Sequence, residues 1–255
     1  NLSVRLRHEW CPMNTQRPIL IYYGFPNTYK PISFGHLRSL IVGDFLRRLL
    51  TAGQHHTITD LHSNDLGEQL GALMRYGALY PGKIQKHSSV DELHDAFFFI
   101  KKKMQQDQTE VEKVLAELIT CQNDSKYQHE NRKHFYDIFL KNIQIFLKDF
   151  NIHVDYYGKE SDYLPQLKRL IPQLIAEGLA VQQDGAIVMN ASPTLKCLPL
   201  MLQHQDGRYL YSGIDLAAAI EHINQFNPRK ILYVMTGKQA TQMAQVFDAT
   251  SQLKL

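Results

Sequence analysis

The stretch Phe25-Pro26-Asn27-Thr28-Tyr29-Lys30-Pro31-Ile32-Ser33-Phe34-Gly35-His36-Leu37-Arg38-Ser39 gathers residues suited to holding phosphate. Lys30 supplies a flexible point charge. A helix starting near Gly35 puts His36 and Arg38 in its first turn, where unpaired backbone N–H groups and the positive dipole end favour an anion. The elements that must hold this loop are also legible. Ile19-Leu20-Ile21-Tyr22-Tyr23 is short, apolar and rich in β-formers, so it reads as a buried strand, and Gly24 ends it. Beyond the loop, Leu37, Leu40, Ile41, Phe45 and Leu49 recur at helical spacing and so support that helix, with Gly53 as its C-terminal cap.

Pro-Asn-x-x-Lys-Pro-x-x-x-Gly-His-Leu-Arg-Ser resembles the nucleotide-binding signature of arginyl-tRNA synthetases, class I enzymes, in the form where an upstream lysine supplies charge. Four further segments follow in the family's order. His62-Ser63-Asn64-Asp65-Leu66-Gly67-Glu68-Gln69 is similar to its Val-Asn-Asp-x-Gly-x-Gln segment, and Val154-Asp155-Tyr156-Tyr157-Gly158-Lys159-Glu160-Ser161 to its run ending Gly-Glu-Ser. Asp206-Gly207 through Tyr211 to Asp215-Leu216-Ala217 resembles Asp-Gly-x-x-x-Tyr-x-Thr-Arg-Asp-x-Ala, and Ile231 to Gln239 resembles the strand and loop that come next. Against the family's plan, little chain precedes the first strand, no Lys-Met-Ser-Lys-type loop is present, and the chain stops at Leu255. The resemblance therefore implies a catalytic core, either as a truncated paralogue without the anticodon-binding domain or as a fragment of a longer chain.

The chemistry so implied is adenylation of arginine by ATP with Mg, and no tightly held cofactor or structural metal is expected. Lys30 and His36 map onto the catalytic positions, and Lys30, Ser33, Gly35 and His36 onto the nucleotide-binding ones. The family's His-x-Gly-His has Ser33 for its first histidine, and loss of one preorganised donor costs ~3 kcal/mol. Ile214 stands in place of the family's Arg, and Gln242 in place of a common His. The nucleotide side is thus eroded. The arginine side is kept: Asn27, Glu160, Tyr211, Asp215 and Gln239 all have the family's residue type, although Gly24-Phe25 replaces its Ser-Ser. A planar guanidinium wants acceptors around its edge, and two carboxylates would compensate it. Tyr211 and Asp215, four apart, can project from one helix face or its start. Taken singly, Asp215 reads as a helix N-terminal carboxylate, Tyr211 as a core aromatic, Asn27 as a turn former and His36 as a helix-start histidine, with Asp44 and Asp65 serving helix ends or exposed faces. Their joint occurrence in family order favours the pocket.

Organisation follows a split nucleotide-binding plan: residues 1–79 as the first half of a Rossmann-like α/β catalytic domain, 80–150 as a helical insertion, and 151–255 as the second half. Around Thr57 to Leu61 the first half has a second apolar stretch. Val90 to Phe150 reads as helical, with Phe135, Ile138, Phe139, Asn142, Ile143 and Phe146 on one face. Asp184-Gly185 and Asp206-Gly207 signal hairpins. A helix from Asp215 to Phe226, a strand from Ile231 to Met235 and a helix from Ala240 to Ser251 close the pattern, which argues for a parallel sheet with ligands at its carboxyl edge.

Composition allows this reading. A chain of 255 residues, 44% hydrophobic, can bury a full core. The net charge of +3 neither demands nor forbids nucleic acid, and Lys101-Lys102-Lys103 is its densest basic run. Cys11, Cys121 and Cys197 have no metal spacing, and their odd number argues against a disulfide framework, so a cytoplasmic protein is the expectation. His55-His56, His87, His94 and His129 show no zinc pattern and read as loop or surface residues. Ala96-Phe97-Phe98-Phe99-Ile100 is too short to span a bilayer, so no membrane association is expected. Three function classes fit: a freestanding arginine-activating enzyme, a non-catalytic arginine sensor or partner subunit, and a transferase using arginyl-tRNA. Partners beyond L-arginine and ATP would be a tRNA acceptor end or a second protein, met near Lys101, Lys102, Lys103, Arg132 and Lys133.

Overall fold

A computed structural model of the chain describes residues 17–24, 26–85, 88–123, 125–193 and 198–255, with 125–132 described by backbone alone. Cys11, Cys197, His87 and Phe25 lie outside the described residues, as do the side chains of His129 and Arg132.

A four-stranded parallel sheet holds β1 (Ile19–Tyr22), β2 (Thr57–Ser63), β3 (Tyr156–Lys159) and β7 (Lys230–Tyr233) in the order β3-β2-β1-β7. β1 pairs Ile19 with Thr57 on one side and with Lys230 on the other. Because β1 is central and covered on both faces, it reads as a continuous apolar run and every residue in it is buried. The pleat sends alternate residues to opposite layers. Ile19, Ile21, Tyr23 and Leu61 join a cluster with Leu40 of α1 (Phe34–Ala52) and with Phe139, Ile143 and Leu147 of α5 (Ser125–Asp149). The opposite face, carrying Tyr22, Asp60 and His62, meets α6 (Glu160–Ala176) and α7 (Tyr211–Phe226) through Tyr163 and His222.

Between β2 and β3 the chain is helical: α2 (Glu68–Leu79), which the sequence reading does not assign, and then α3 (Val90–Gln106), α4 (Gln108–Asn123) and α5 across the span whose periodicity predicts helix. Phe135, Ile138, Phe139 and Ile143 form the buried face of α5, whereas Asn142 is exposed, as a polar side chain at the margin of an apolar stripe can be. Lys101 and Lys103 hold their ammonium groups over Phe97, Phe98 and Phe99, a solvated face in which cations cover aromatic rings. α2 and α4 approach closely at Gly71, where an added Cβ would stand 2.5 Å from the Val114 carbonyl oxygen. Gly71→Ala should therefore destabilise the chain. Overpacking costs about 1–3 kcal/mol, which exceeds the roughly 1 kcal/mol gained in helix propensity. A urea midpoint equal to or above that of the unaltered chain would contradict this packing.

A second, antiparallel sheet, β4 (Ala180–Gln183), β5 (Ala186–Met189) and β6 (Leu200–Gln203), follows α6. Asp184 and Gly185 close its first hairpin at φ 49° and 81°, the two positive values a type I′ turn requires. Near the Asp206-Gly207 turn, Gln203 bridges Tyr209 in antiparallel fashion. α7 begins at Tyr211, four residues before the predicted start, and it is buried along most of its length. A short 3₁₀ turn (Gly237–Gln239) leads into α8 (Ala240–Gln252).

Of the apolar residues at helical spacing on α1, only Leu40 is fully buried, and Ile41, Phe45 and Leu49 are exposed. The helix meets the sheet through Leu40, Gly43 and Asp44 instead. Asp44 accepts Nε–H bonds from Arg47 (2.8 Å) and Arg48 (2.5 Å) and lies 3.4 Å from the His153 amide nitrogen, so a carboxylate expected at an exposed face is buried and paired.

Candidate functional site

The parallel strands bring the predicted residues to their shared carboxyl edge, where an open sheet offers its crevice. β1 runs out into the loop bearing Asn27 and Lys30, β2 into Asn64 and Asp65, β3 directly into Glu160, and β7 into the turn bearing Gln239. The first two loops are fastened together. Thr28 Oγ1 donates to the Asn64 carbonyl at 2.7 Å, and the Tyr29 hydroxyl donates to the Asp65 carbonyl at 3.1 Å. Asn27 acts as a turn former, its Oδ1 accepting from the Tyr29 N–H at 3.0 Å, while its backbone bridges Asn64.

At the start of α1, Ser33 and His36 form a capping box, with the Ser33 N–H donating to His36 Nδ1 at 3.3 Å. Burial lowers the His36 pKa, and the charge of Lys30 lowers it further, so the imidazole is neutral at pH 7. A cavity of ≈260 Å³ opens here, lined by Ser33, Gly35, His36, Thr236 and Gln239 among others. Gln239 thus lies beside the phosphate loop, its Oε1 accepting from the Thr236 N–H at 3.2 Å. Its neighbour one turn on reaches the other side: Gln242 Nε2 donates to Asp215 Oδ2.

The two predicted carboxylates are both buried, Asp215 at 6% exposure and Glu160 at 3%. Burial pushes Asp215 up to about 7, against the Gln242 hydrogen bond. Burial, then the charges of Asp65 and Asp215, raise Glu160 well above the usual carboxylate range, so these groups sense one another. Asp65 is itself buried and accepts from the Ser161 N–H at 2.9 Å, which anchors the first turn of α6. Of its two expected roles, Asp65 thus serves a helix end and does not lie on an exposed face. Among the described residues neither Glu160 nor Asp215 has a cationic partner, and buried carboxylates in that state either hold protons or take up a cation. Tyr211 shares the face of α7 with Asp215 but is 60% exposed, lining a ≈590 Å³ groove with Met201, Leu210, Ser212 and Gln242. Ile214 packs into the core.

Sequence reasoning missed a buried polar cluster on the same side of the sheet. Asp60, His62, Tyr163 and His222 meet there from β2, α6 and α7. The period-two spacing of Asp60 and His62 was the one available signal, since His222 lies 160 residues further on.

The chain matches the family described as tRNA synthetases class I (R), catalytic domain, over residues 5–255. The arginine–tRNA ligase of Thermosynechococcus vestitus is 32% identical over 255 residues, covering 93% of this chain and 42% of that protein. That of Agathobacter rectalis is 26% identical, covering 90% and 41%. Among solved structures, the Plasmodium falciparum arginyl-tRNA synthetase superposes with a TM-score of 0.75 at 25% identity, covering 94% of this chain and 41% of that one. The chain therefore spans about two-fifths of the length of these relatives. Strand order, the loop after β1 and the extent of the match agree, and the chain belongs to the arginyl-tRNA synthetase catalytic-domain family of class I.

Proposed function

We propose that this chain binds L-arginine through Glu160 and Asp215 and acts on it in a freestanding role, activating or transferring it rather than carrying out ordinary tRNA charging. The observation that carries the reading is the pair of buried carboxylates without a cationic partner among the described residues, at the carboxyl edge of a parallel sheet. A guanidinium is flat, permanently charged and rich in donors, so it satisfies two acidic groups at once. In this reading Lys30, Ser33, Gly35 and His36 receive the phosphates of ATP, with Mg arriving on the nucleotide, and residues 80–150 are the helical insertion between the two halves, met by a tRNA acceptor end or a second protein. Calorimetric titration with arginine, alone and with ATP, tests the reading, and failure of arginine to bind at all would end it.

The second reading, an arginine sensor or an arginyl-tRNA-dependent transferase, is favoured by the phosphate-side donors that this chain lacks. Ser33 stands for a His of the family's pattern and Ile214 for an Arg, while His36 and Gln239 only accept from the Ser33 and Thr236 N–H groups and keep their own donors. A missing preorganised donor cannot meet charge as it develops, at a cost of ~3 kcal/mol or about two orders of magnitude in rate. Arginine-dependent ATP–pyrophosphate exchange should therefore be slow or absent, and Ser33→His alone should not restore it, because Ile214 and Gln242 also depart from the family's pattern. Robust exchange by the unmodified chain would return it to the activating class.

A further inference from the structure

We propose that Asp60, His62 and His222 form a binding site for a divalent transition metal, zinc being the ion their donors suit best, at the floor of a pocket between β2, α6 and α7. Asp60 Oδ2 lies 2.6 Å from His62 Nε2 and 2.7 Å from His222 Nε2, and the two nitrogens are 3.4 Å apart. The Tyr163 hydroxyl is 2.7 Å from His62 Nε2. All three proposed ligands are at most 2% exposed. Three ligand atoms from β2 and α7 thus lie within 4.8 Å of one another, with the Tyr163 hydroxyl of α6 beside one of them.

Proton bookkeeping argues that hydrogen bonds alone do not satisfy this arrangement. An imidazole nitrogen carries either one N–H or one lone pair. If His62 Nε2 donates to Asp60, it cannot accept from Tyr163; if it accepts from Tyr163, its lone pair confronts the carboxylate. His222 Nε2 adds a second nitrogen aimed at the same oxygen. A cation at the centre resolves the conflict, because it takes both nitrogen lone pairs and the carboxylate charge together, leaving a fourth position for the Tyr163 oxygen or a water. Tetrahedral bonds of ~2.0–2.1 Å require Asp60 to draw back from the imidazoles by only roughly 0.6 Å.

Access agrees with this. A pocket of ≈360 Å³ lined by Asp60, His62 and Tyr163, with Asp162, Arg169 and Glu221 around it, supplies the path from solvent. The ion would tie β2 to α7, the helix that carries Asp215 seven residues before His222.

The test is Zn²⁺ and Co²⁺ binding by the whole chain, prepared without a polyhistidine tag. Equilibrium dialysis followed by elemental analysis should find one Zn²⁺ per chain, and Co²⁺ should give the visible ligand-field bands of a four-coordinate site. His62→Gln and His222→Gln should each weaken Zn²⁺ by more than the roughly 10–100-fold that loss of an outer hydrogen-bond partner costs, whereas His56→Gln, at an exposed position, should not. The Co²⁺ spectrum is read on the unaltered chain, so it decides the matter even if a variant fails to fold. No stoichiometric uptake, six-coordinate Co²⁺ only, or equal Zn²⁺ binding by the unaltered chain and both variants would overturn the site and leave a hydrogen-bonded knot.

Discussion

Asp215→Asn and Glu160→Gln should each weaken L-arginine binding by about 3–5 kcal/mol, which is two to nearly four orders of magnitude in Kd. The size follows from burial: removing one partner of a desolvated charge pair forfeits the attraction and strands the other charge. The same logic applies to the ligand. Citrulline keeps the shape of arginine without its charge, so it leaves two buried acids uncompensated and should bind worse by a similar amount. Lysine, a point charge without a flat edge, should fall between. Tyr211→Phe should have a much smaller effect, since Tyr211 stands 60% exposed in the outer groove. Titration calorimetry on these variants and ligands checks all four statements, and equal affinity for arginine and citrulline would remove Glu160 and Asp215 from the pocket.

The ligand-free chain should lose stability as pH rises from about 4 to 7 through Asp215. Its folded-state pKa of about 7 exceeds its ordinary value of 3.8, so in that window the native state holds a proton that the unfolded chain releases. Stability then falls with pH by roughly 1.4 kcal/mol per unit, on the order of 4 kcal/mol in all, and Glu160 acts in the same direction. His36 and His222, whose pKa values are lowered, work oppositely up to their ordinary range. The clean measurement is therefore a difference. Urea unfolding of the unaltered chain and of Asp215→Asn at pH 5 and pH 8 should show the variant gaining on the parent by about 2.7 kcal/mol at the higher pH, the share of the window that lies above pH 5. Saturating arginine should cancel the gain by restoring a counter-charge, and it should bind more tightly at pH 8 than at pH 5. A difference that does not change with pH would mean that Asp215 ionises normally.

Local signals carried the fold far. The apolar run of β1, the Asp184-Gly185 turn and the helix ending before Pro228 are each dictated within a few residues, and each appears where the sequence predicts it. What failed was non-local. Helical periodicity announces an apolar stripe on α1 but not which side meets the sheet, and the contact runs through Leu40, Gly43 and Asp44. Gln239 and Gln242 are one turn apart, so the path of the backbone through a 3₁₀ turn decides which of them reaches Asp215. Asp65 reads as a carboxylate at a helix end or on an exposed face until its partners on Tyr29 and Ser161 show it buried. The Asp60–His62–His222 cluster depends on packing a late helix against an early strand, which no spacing rule encodes.

The outward side of α1 has a practical consequence for the bench. Phe34 at 90% exposure, with Ile41, Val42, Phe45 and Leu49, gives the folded chain a contiguous oily stripe. Reporter dyes that brighten on apolar surface, ordinarily taken as a sign of a loosened or molten state, will light up on the intact protein. Dye-monitored melting would then start from a high baseline and flatten the transition, so that a ligand-induced shift passes unseen. Circular dichroism or calorimetry, which do not read surface oiliness, are the appropriate ways to follow unfolding of this chain.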